Sequence, residues 1–409
     1  MRRAWLCLAL FGGLLAACAP FIAADSAPQS HEEAVIVAPR SEWGAVYALG
    51  VAEQGDAPAL IVGAESIIAV WVSADERDTY HTLRRINTAD GAPGAVNRLP
   101  IVTAFPRHYQ AARAAQGFHH LLWLDADPQE PLAGMRLWAL LIDNTPDATR
   151  GAFIANDHTI YHHALLPGDD GTLWVFYSAA PISEPTIYAQ FFDSVNRPRS
   201  PVALVSAGER PAAVRFADGT PRLFWQSVTD GTLRSAAFDG DSRPSAERGE
   251  VALHVTAPAL SAGDFLEHLH VAVDATHVYA FWNISHHRGA FAATWYATAP
   301  QSALDDWTTP RRLTLDSVAD VSPDVVLSWA SPAGGVPSAD GLPVAVAAGD
   351  ELGVVTLRGG AVVSYEAVAP LDAPGLIGTP TLHADSAGRL TLAWAQPAPD
   401  GAHLYIAQQ

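Results

Sequence analysis

Four histidines lie at matching distances before tryptophans that recur along the chain. His162 and His270 each precede the next repeated tryptophan by 12 residues, and His163 and His383 precede theirs by 11. Imidazoles that converge bind either a metal ion or, through hydrogen bonds, an anionic ligand. A polar channel that holds ordered water is the alternative without a ligand. The spacing predicts that these four residues line one channel and leaves the three alternatives open.

Two acidic segments carry alternating oxygen donors of the kind that calcium prefers. They are Asp125-Ala126-Asp127, followed by Glu130, and Asp239-Gly240-Asp241. Neither segment has the ligand number of a complete calcium-binding loop, and acidic turns are commonly only solvated. We predict no bound metal and no cofactor. No motif brings a nucleophile, a base and an orienting group together, so we assign no catalytic residue.

The tryptophans that set the histidine spacing also indicate the architecture. A period of about fifty residues, filled with short apolar strands, is typical of a blade repeat. We expect the tryptophans to pack between blades, because they recur at one strand position. The repeat consists of Trp71, Trp123, Trp174, Trp225, Trp282 and Trp394, with separations of 52, 51, 51, 57 and 112 residues.

Each unit contains a strand, a turn with Asp or Gly, a second strand near the tryptophan, and two further strands. Four short strands per unit predict an all-β fold, a β-propeller. We count seven blades, one of which has strands at 342–346 and 354–357 but lacks the tryptophan; six blades is the alternative if 316–370 is irregular. The last unit ends after three strands. We therefore expect the N-terminal segment 43–49 to supply the fourth strand and close the ring.

Other aromatic residues fall outside the repeat. We predict that they form an exposed recognition face able to stack on a sugar ring or a peptide. They are Trp138, Trp295, Tyr296, Trp307 and Trp329.

The hairpin pattern resembles the sialidase-like propeller superfamily, whose blades carry BNR repeats, also called Asp-boxes. In residues 303–313, Trp307 stands where such a box ends, but the serine, the glycine and the first threonine of the box are absent. The resemblance implies a propeller and, as an alternative function, glycoside hydrolysis. That hydrolysis would need three arginines for a substrate carboxylate, and we consider Arg113, Arg215 and Arg234. The nucleophilic tyrosine and its glutamate cannot be assigned.

The first eighteen residues resemble the leader of bacterial lipoproteins. Arg2 and Arg3 precede an apolar run, and Leu15-Ala16-Ala17-Cys18 matches the lipobox of that family. The resemblance implies a signal peptide at 1–17, lipidation of Cys18, a tether at 18–39 and a propeller at 40–409. An ordinary cleaved signal peptide without lipid is the alternative. We expect an extracytoplasmic protein held at a bacterial membrane by its N-terminal lipid.

Composition limits the partners. The 409-residue chain has a formal net charge of -19, and its 24 basic residues are all arginine. This charge disfavours nucleic acid and any membrane contact besides the lipid, and the absence of lysine excludes Schiff-base chemistry. We predict a monomer that serves as a binding or scaffolding module for a glycan, peptide or protein. A sialidase-like glycoside hydrolase is the alternative, so enzymatic activity stays open.

Overall fold

A computed structural model describes residues 43–409, except 54–56, 64–65, 76–78, 90, 104–105, 114–117, 128–129, 143–148, 156–158, 169, 181–183, 239–250, 287–289, 319–324, 335–339, 373–374 and 377. The predicted leader, Cys18 and the tether lie outside the described residues. No described residue belongs to a helix that could span a bilayer. The described chain forms seven four-stranded antiparallel sheets. These sheets are blades arranged in a ring, so the predicted seven-bladed propeller is confirmed.

The strands follow one another in the order of the blades, and each sheet pairs its strands consecutively. Blade 1 has β2 (Ala59–Val62), β3 (Ser66–Ala74), β4 (Thr79–Asn87) and β5 (Pro93–Thr103). Blade 2 has β6 (Arg107–Arg113), β7 (His119–Asp127), β8 (Glu130–Ile142) and β9 (Thr149–Ala155). Blade 3 has β10 (Thr159–Pro167), β11 (Leu173–Ala180), β12 (Thr186–Phe192) and β13 (Ala203–Ala207). Blade 4 has β14 (Glu209–Arg215), β15 (Pro221–Gln226), β16 (Thr232–Ala237) and β17 (Val251–Thr256).

The remaining three blades include the unit without a repeated tryptophan. Blade 5 has β18 (Asp264–Val273), β19 (His277–His286), β20 (Ala290–Pro300) and β21 (Arg311–Arg312). Blade 6 has β22 (Leu327–Pro332), β23 (Leu342–Ala348), β24 (Glu351–Arg358) and β25 (Ala361–Pro370). Blade 7 has β26 (Thr381–Ala384), β27 (Leu390–Ala398) and β28 (Gly401–Gln408), and its outer strand is β1 (Tyr47–Ala52). The region 316–370 therefore contains a true blade, which excludes the six-bladed alternative.

The closing strand comes from the N-terminal segment, as predicted. Strand β1 pairs with β28, and Gly44 donates a backbone hydrogen bond of 2.8 Å to Gln408. Trp43 is buried, and its Nε1 donates to the Glu366 carboxylate of blade 6 at 3.1 Å. Pairing the first strand of the fold with the last removes the two open sheet edges that an unclosed ring would expose.

The first strand of each blade contacts the first strands of both neighbouring blades, so these seven strands lie innermost. They run in the same direction, and we call the end of the ring at which they begin the upper end. Seven apolar clusters formed by described residues lie between successive blades around the ring. Burial between blades is therefore the main source of stability, since apolar area removed from water contributes about 25 cal/mol per Å².

The repeated tryptophans occupy these interfaces, but one of them departs from the predicted position. Five pack toward the preceding blade, while Trp174 packs toward the following blade, against Trp225 and Phe238. Tyr177 takes the equivalent position in blade 3 and packs toward blade 2. Trp174 is three residues from that position, and an odd shift along a strand moves a side chain to the opposite face. The expectation of one shared strand position was wrong for blade 3.

A buried amide joins blades 5 and 6. Asn283 donates from Nδ2 to the Ala330 carbonyl at 2.9 Å, and its Oδ1 accepts from the Ala330 amide at 3.0 Å and from Thr294 Oγ1 at 2.6 Å. Asn283 is fully buried. Trp329, the residue before Ala330, has a φ of 49°, which is outside the range of a regular strand. The Asn283 side chain therefore forms the hydrogen bonds that the Ala330 backbone cannot form with a neighbouring strand.

We expect Asn283→Leu to lower the free energy of unfolding by about 3 kcal/mol, because it leaves the buried Ala330 carbonyl without a donor and the buried Thr294 hydroxyl without an acceptor. The Ala330 amide keeps its 3.2 Å hydrogen bond to Thr294 Oγ1. Urea denaturation measures the change. Thr294→Val is the matched control: it removes the two bonds of the Thr294 hydroxyl but keeps both bonds between Asn283 and Ala330, so it should cost only about 1 kcal/mol. A loss below 1 kcal/mol for Asn283→Leu would contradict this role.

Candidate functional site

The middle parts of four consecutive first strands line a cavity of about 190 Å³, which we call the histidine cavity. Strands β6, β10, β14 and β18 of blades 2 to 5 line it. Its apolar lining includes Leu165, Ala213 and Val271. Its polar lining consists of His108, Gln110, His162, His163, Arg210, His268 and His270.

Breaks in strand pairing place two of these side chains. The pairing of β6 with β7 is interrupted after Arg107, and that of β14 with β15 after Glu209. His108 and Arg210 lie within these β-bulges, with φ values of 55° and 53°. A left-handed conformation of a residue other than glycine costs about 1–3 kcal/mol, and a bulge redirects the side chain it contains. Both side chains are thereby directed to the cavity instead of following strand alternation.

Blades 3 and 5 have a shorter bulge in the same part of the first strand. The pairing skips Tyr161 in β10 and Glu267 in β18, and His162 and His268 resume it. Blade 6 has the longer bulge at Trp329, but that side chain is buried in the apolar cluster between blades 6 and 7. The bulge is therefore a feature of the repeat, and the side chain it carries determines whether it contributes to a site.

The imidazoles lie close enough to share one ligand. The His108 ring centroid is 6.3 Å from that of His162 and 5.7 Å from that of His268, and His268 is 5.7 Å from His270. His162 Nδ1 lies 3.3 Å from Ser178 Oγ. The ring contacts join blades 2, 3 and 5.

Burial keeps several of these imidazoles uncharged. It lowers the pKa of His108 from 6.5 to about 4, with a smaller contribution from Arg107. Burial also lowers the pKa of His163 and of His270 to about 3, and each receives a further lowering from a neighbouring histidine. The pKa of His162 is lowered furthest, first by burial and then by Arg210. At neutral pH these four rings are neutral, and each carries one N–H donor and one acceptor nitrogen.

Several polar atoms of the residues that line the cavity have no hydrogen-bond partner within the protein. Both ring nitrogens of His163, Nε2 of His270 and Nε of Arg210 are buried without one. The other guanidinium nitrogens of Arg210 are engaged: Nη1 donates to the Glu209 carboxylate, and Nη2 donates to the Leu266 carbonyl at 3.0 Å. A buried polar group without a partner costs about 1–3 kcal/mol. A ligand that supplies donors and acceptors would recover that free energy.

The described residues do not form a metal site. No group of three His, Cys, Asp or Glu side chains among them could hold one metal ion. Of the predicted calcium segments, 239–241 and the side chains of Asp127 and Glu130 lie outside the described residues. A ligand bound through hydrogen bonds and ordered water are the alternatives for the histidines that agree with this arrangement.

The structure brings together three of the four histidines that the sequence singled out. His162, His163 and His270 line the histidine cavity. His383 lies on β26 of blade 7, where its backbone bridges to Gly334, and it does not line the cavity. Burial lowers the pKa of His383 as well, and its Nδ1 is buried without a partner.

Sequence reasoning missed other lining residues because the displaced tryptophan of blade 3 shifted the alignment. Tyr177 occupies the core aromatic position of that blade, and His162 lies 15 residues before it. The same distance before the core tryptophan identifies His108 in blade 2 and Arg210 in blade 4, and in blade 5 a distance of 14 identifies His268. In blades 2, 3 and 4 a glycine (Gly117, Gly171 or Gly219) precedes the core aromatic by six residues, so aligning the blades on this glycine would have revealed the register.

The residues predicted to form an exposed recognition face are largely packed between blades. Tyr296 is buried, and its hydroxyl donates to the Gly360 carbonyl at 3.2 Å. Trp295 and Trp307 pack against the cluster between blades 4 and 5, and Trp138 stacks on Trp123 with centroids 6.3 Å apart. A large aromatic side chain outside the repeat still stabilises the fold more when it is packed against apolar residues than when it is exposed to water.

The comparisons with known proteins support the fold. No protein-family model matches the chain, and no curated protein matches it. Among solved structures it is similar to the polysaccharide lyase Uly1, at 13% identity over 88% of this chain and 90% of that chain, with a TM-score of 0.54. It is also similar to an ulvan lyase described as a new family of polysaccharide lyase, at 10% identity over 90% and 94%, with a TM-score of 0.51. At these identities the similarity concerns the propeller architecture alone.

Proposed function

We propose that this propeller binds an uncharged saccharide unit in the histidine cavity. The observation that carries the proposal is the set of buried, unpartnered polar atoms on His163, His270 and Arg210. A neutral imidazole offers one donor and one acceptor, and a sugar hydroxyl offers both in return. The apolar side chains of the same lining can pack against the C–H face of a sugar ring. At about 190 Å³ the cavity is smaller than sites for drug-sized ligands, which suits a single sugar unit.

Charge supports an uncharged ligand over an anionic one. The four buried imidazoles with lowered pKa values are neutral, and Arg210 forms an ion pair with Glu209. The chain as a whole is strongly acidic, which disfavours the approach of polyanionic ligands. The alternative in which an anion binds to charged histidines therefore lacks the positive charge it needs at neutral pH.

Binding is proposed in preference to glycoside hydrolysis. Most glycosidases use two carboxyl groups at the scissile bond, and no Asp or Glu is among the described residues that line the histidine cavity. The arginines considered for a sialidase-like site are separated, because Arg215 ends β14 at the lower end of blade 4 and Arg234 lies in the upper half of β16. They do not form one carboxylate-binding set.

The cellular location belongs to the same proposal. A lipid on Cys18 and a tether at 18–39 would hold the ring outside a bacterial cell, where free saccharides occur. The lipobox-like segment ending at Cys18 supports this location. Mass spectrometry of the membrane-bound protein tests it, since a diacylglyceryl modification on Cys18 is expected and an unmodified N-terminus would overturn it.

A glycan array followed by calorimetry, with a protein of residues 31–409, tests the binding proposal. We expect neutral glycans to bind, with an affinity that changes less than twofold between 0.05 and 0.5 M NaCl. His163→Leu and His270→Leu should each weaken binding at least tenfold, or about 1.4 kcal/mol. His254→Leu, an exposed position on β17, is the control. Binding confined to anionic glycans and lost at high salt would contradict the proposal.

The bound glycan also separates binding from catalysis. Incubation with the wild-type protein followed by chromatography should return the glycan intact. Cleavage that His163→Leu abolishes would show that the histidine cavity is an active site instead of a binding site.

A further inference from the structure

A second cavity, of about 220 Å³, lies between blades 4 and 5 and adjoins the histidine cavity. Leu266 lines the second cavity, and its carbonyl accepts the 3.0 Å hydrogen bond from Arg210, which lines the first. Gln226, at the end of β15, also lines the second cavity, and its Cα pairs with that of Glu209, the ion-pair partner of Arg210. The two cavities therefore share a wall, and the second lies nearer the upper end of the ring than the first.

The upper-end connections of two blades form the second cavity. The turn between β15 and β16 contributes Asp230 and Gly231, and the connection from β17 to β18 contributes Pro258 and Leu260. Ala257 donates a backbone hydrogen bond of 3.4 Å to Gly231, which joins the two segments. The walls of the cavity thus belong to a defined backbone arrangement.

The lining combines an apolar surface with one unsatisfied acceptor. Pro258, Leu266 and Ile284 supply apolar surface, and Leu260 is 48% exposed. Gln226 Oε1 is buried and accepts no hydrogen bond. A buried acceptor without a donor is unfavourable. A hydroxyl-bearing ring would donate to this oxygen while its C–H face covers the apolar wall.

The neighbouring carboxylate is already engaged. Asp230 accepts hydrogen bonds from the Thr232 amide at 3.0 Å and from Thr232 Oγ1 at 2.6 Å, and it forms an ion pair with Arg234 at 3.1 Å. Its charge is therefore compensated within the protein, and the second cavity, like the first, suits an uncharged ligand.

We infer that the cavity between blades 4 and 5 binds a second unit of the same saccharide chain whose first unit occupies the histidine cavity. This inference rests on the proposed function. It makes the ligand an oligosaccharide, with the chain crossing the wall formed by Arg210 and Leu266.

Calorimetry with mono-, di- and tetrasaccharides of β-1,4-glucan, β-1,4-mannan and β-1,3-glucan, together with the corresponding series of any neutral glycan bound on the array, tests the inference. For the series that binds, we expect the disaccharide or the tetrasaccharide to bind at least tenfold more tightly than the monosaccharide. Gln226→Leu should lower the affinity for the longer ligand at least fivefold. It should leave the affinity for the monosaccharide within twofold of that of the wild type.

Two further variants make the test specific. Gln190→Leu is the matched control, because Gln190 Oε1 is also buried without a partner but lies on β12, away from both cavities. It should change neither affinity. Leu260→Asp alters an exposed position, so folding is not at risk, and it should also weaken only the longer ligands.

If the monosaccharide and tetrasaccharide bind equally, or if Gln226→Leu and Leu260→Asp leave the higher affinity for the longer ligand intact, the second subsite is overturned while the binding function stands. Equal weakening of the monosaccharide by Gln226→Leu would also overturn it. If no saccharide binds to the wild-type protein, the proposed function fails and the inference fails with it.

Discussion

The free energy of unfolding is expected to fall steeply as the pH is lowered from 6.5 toward 4, because of the buried histidines. His163 and His270 have their pKa lowered to about 3, and His108 to about 4. In the unfolded chain an imidazole binds its proton near pH 6.5. The unfolded state therefore holds more protons in this window, and each such histidine lowers stability by about 1.4 kcal/mol per pH unit.

Removing two of these groups should flatten the profile. We expect the free energy of unfolding of the double variant His163→Gln, His270→Gln to change less with pH than that of the wild type, by about 2.7 kcal/mol per pH unit. Urea denaturation at pH 6.5, 5.5 and 4.5 measures both slopes. The single variant His254→Gln, at an exposed position, should keep the wild-type slope. Identical slopes in the wild type and the double variant would show that these imidazoles are protonated in the folded protein.

Two carboxyl groups with lowered pKa values titrate outside this window. Hydrogen bonds from Thr172 lower the pKa of Asp170 below its ordinary 3.8, and hydrogen bonds from Thr232 lower that of Asp230. A carboxyl group with a lowered pKa loses its stabilising contribution only as the pH falls below its ordinary value. Neither Asp170 nor Asp230 therefore contributes to the loss expected between pH 6.5 and 4.5, and the double histidine variant measures the histidine share directly.

Truncation of Arg84 should produce the second large effect, at the closure of the ring. Its guanidinium is buried and donates to the carbonyls of Ala48 and Leu49 in the closing strand, at 3.1 and 2.9 Å, and to that of Gly94 in blade 1 at 2.6 Å. We expect Arg84→Met to lower the free energy of unfolding by about 4 kcal/mol, since several buried carbonyls would lose their donors.

The neighbouring arginine provides the control for this prediction. Arg85→Met removes the same charge from β4 at a half-buried position and should cost less than about 1 kcal/mol. Thermal unfolding and hydrogen exchange at β1 measure both variants. Equal stability of the two variants, with β1 still protected from exchange in Arg84→Met, would contradict a closing role for Arg84.

The sequence predicted the fold well for a physical reason. Each blade buries both faces against its neighbours, so every blade needs the same succession of apolar strands and turns. This succession is visible in the sequence and can be counted without the tertiary structure. The closing strand followed from the same count, because a ring of like sheets cannot leave its last blade with three strands. Blade 6 was also identified without its tryptophan, since Val344 and Val355 supply the apolar pattern.

The site was predicted only in part, because its geometry depends on departures from the repeat. The sequence identified His162, His163 and His270 as channel residues, and it determined the blade number and the ring closure. Only the tertiary structure revealed that His108 and Arg210 converge on them. Bulges and the displaced Trp174 shift the alignment of one blade with the next by one or more residues. Ring closure brings together side chains about fifty residues apart in the chain. The local periodicity of the sequence contains neither kind of information.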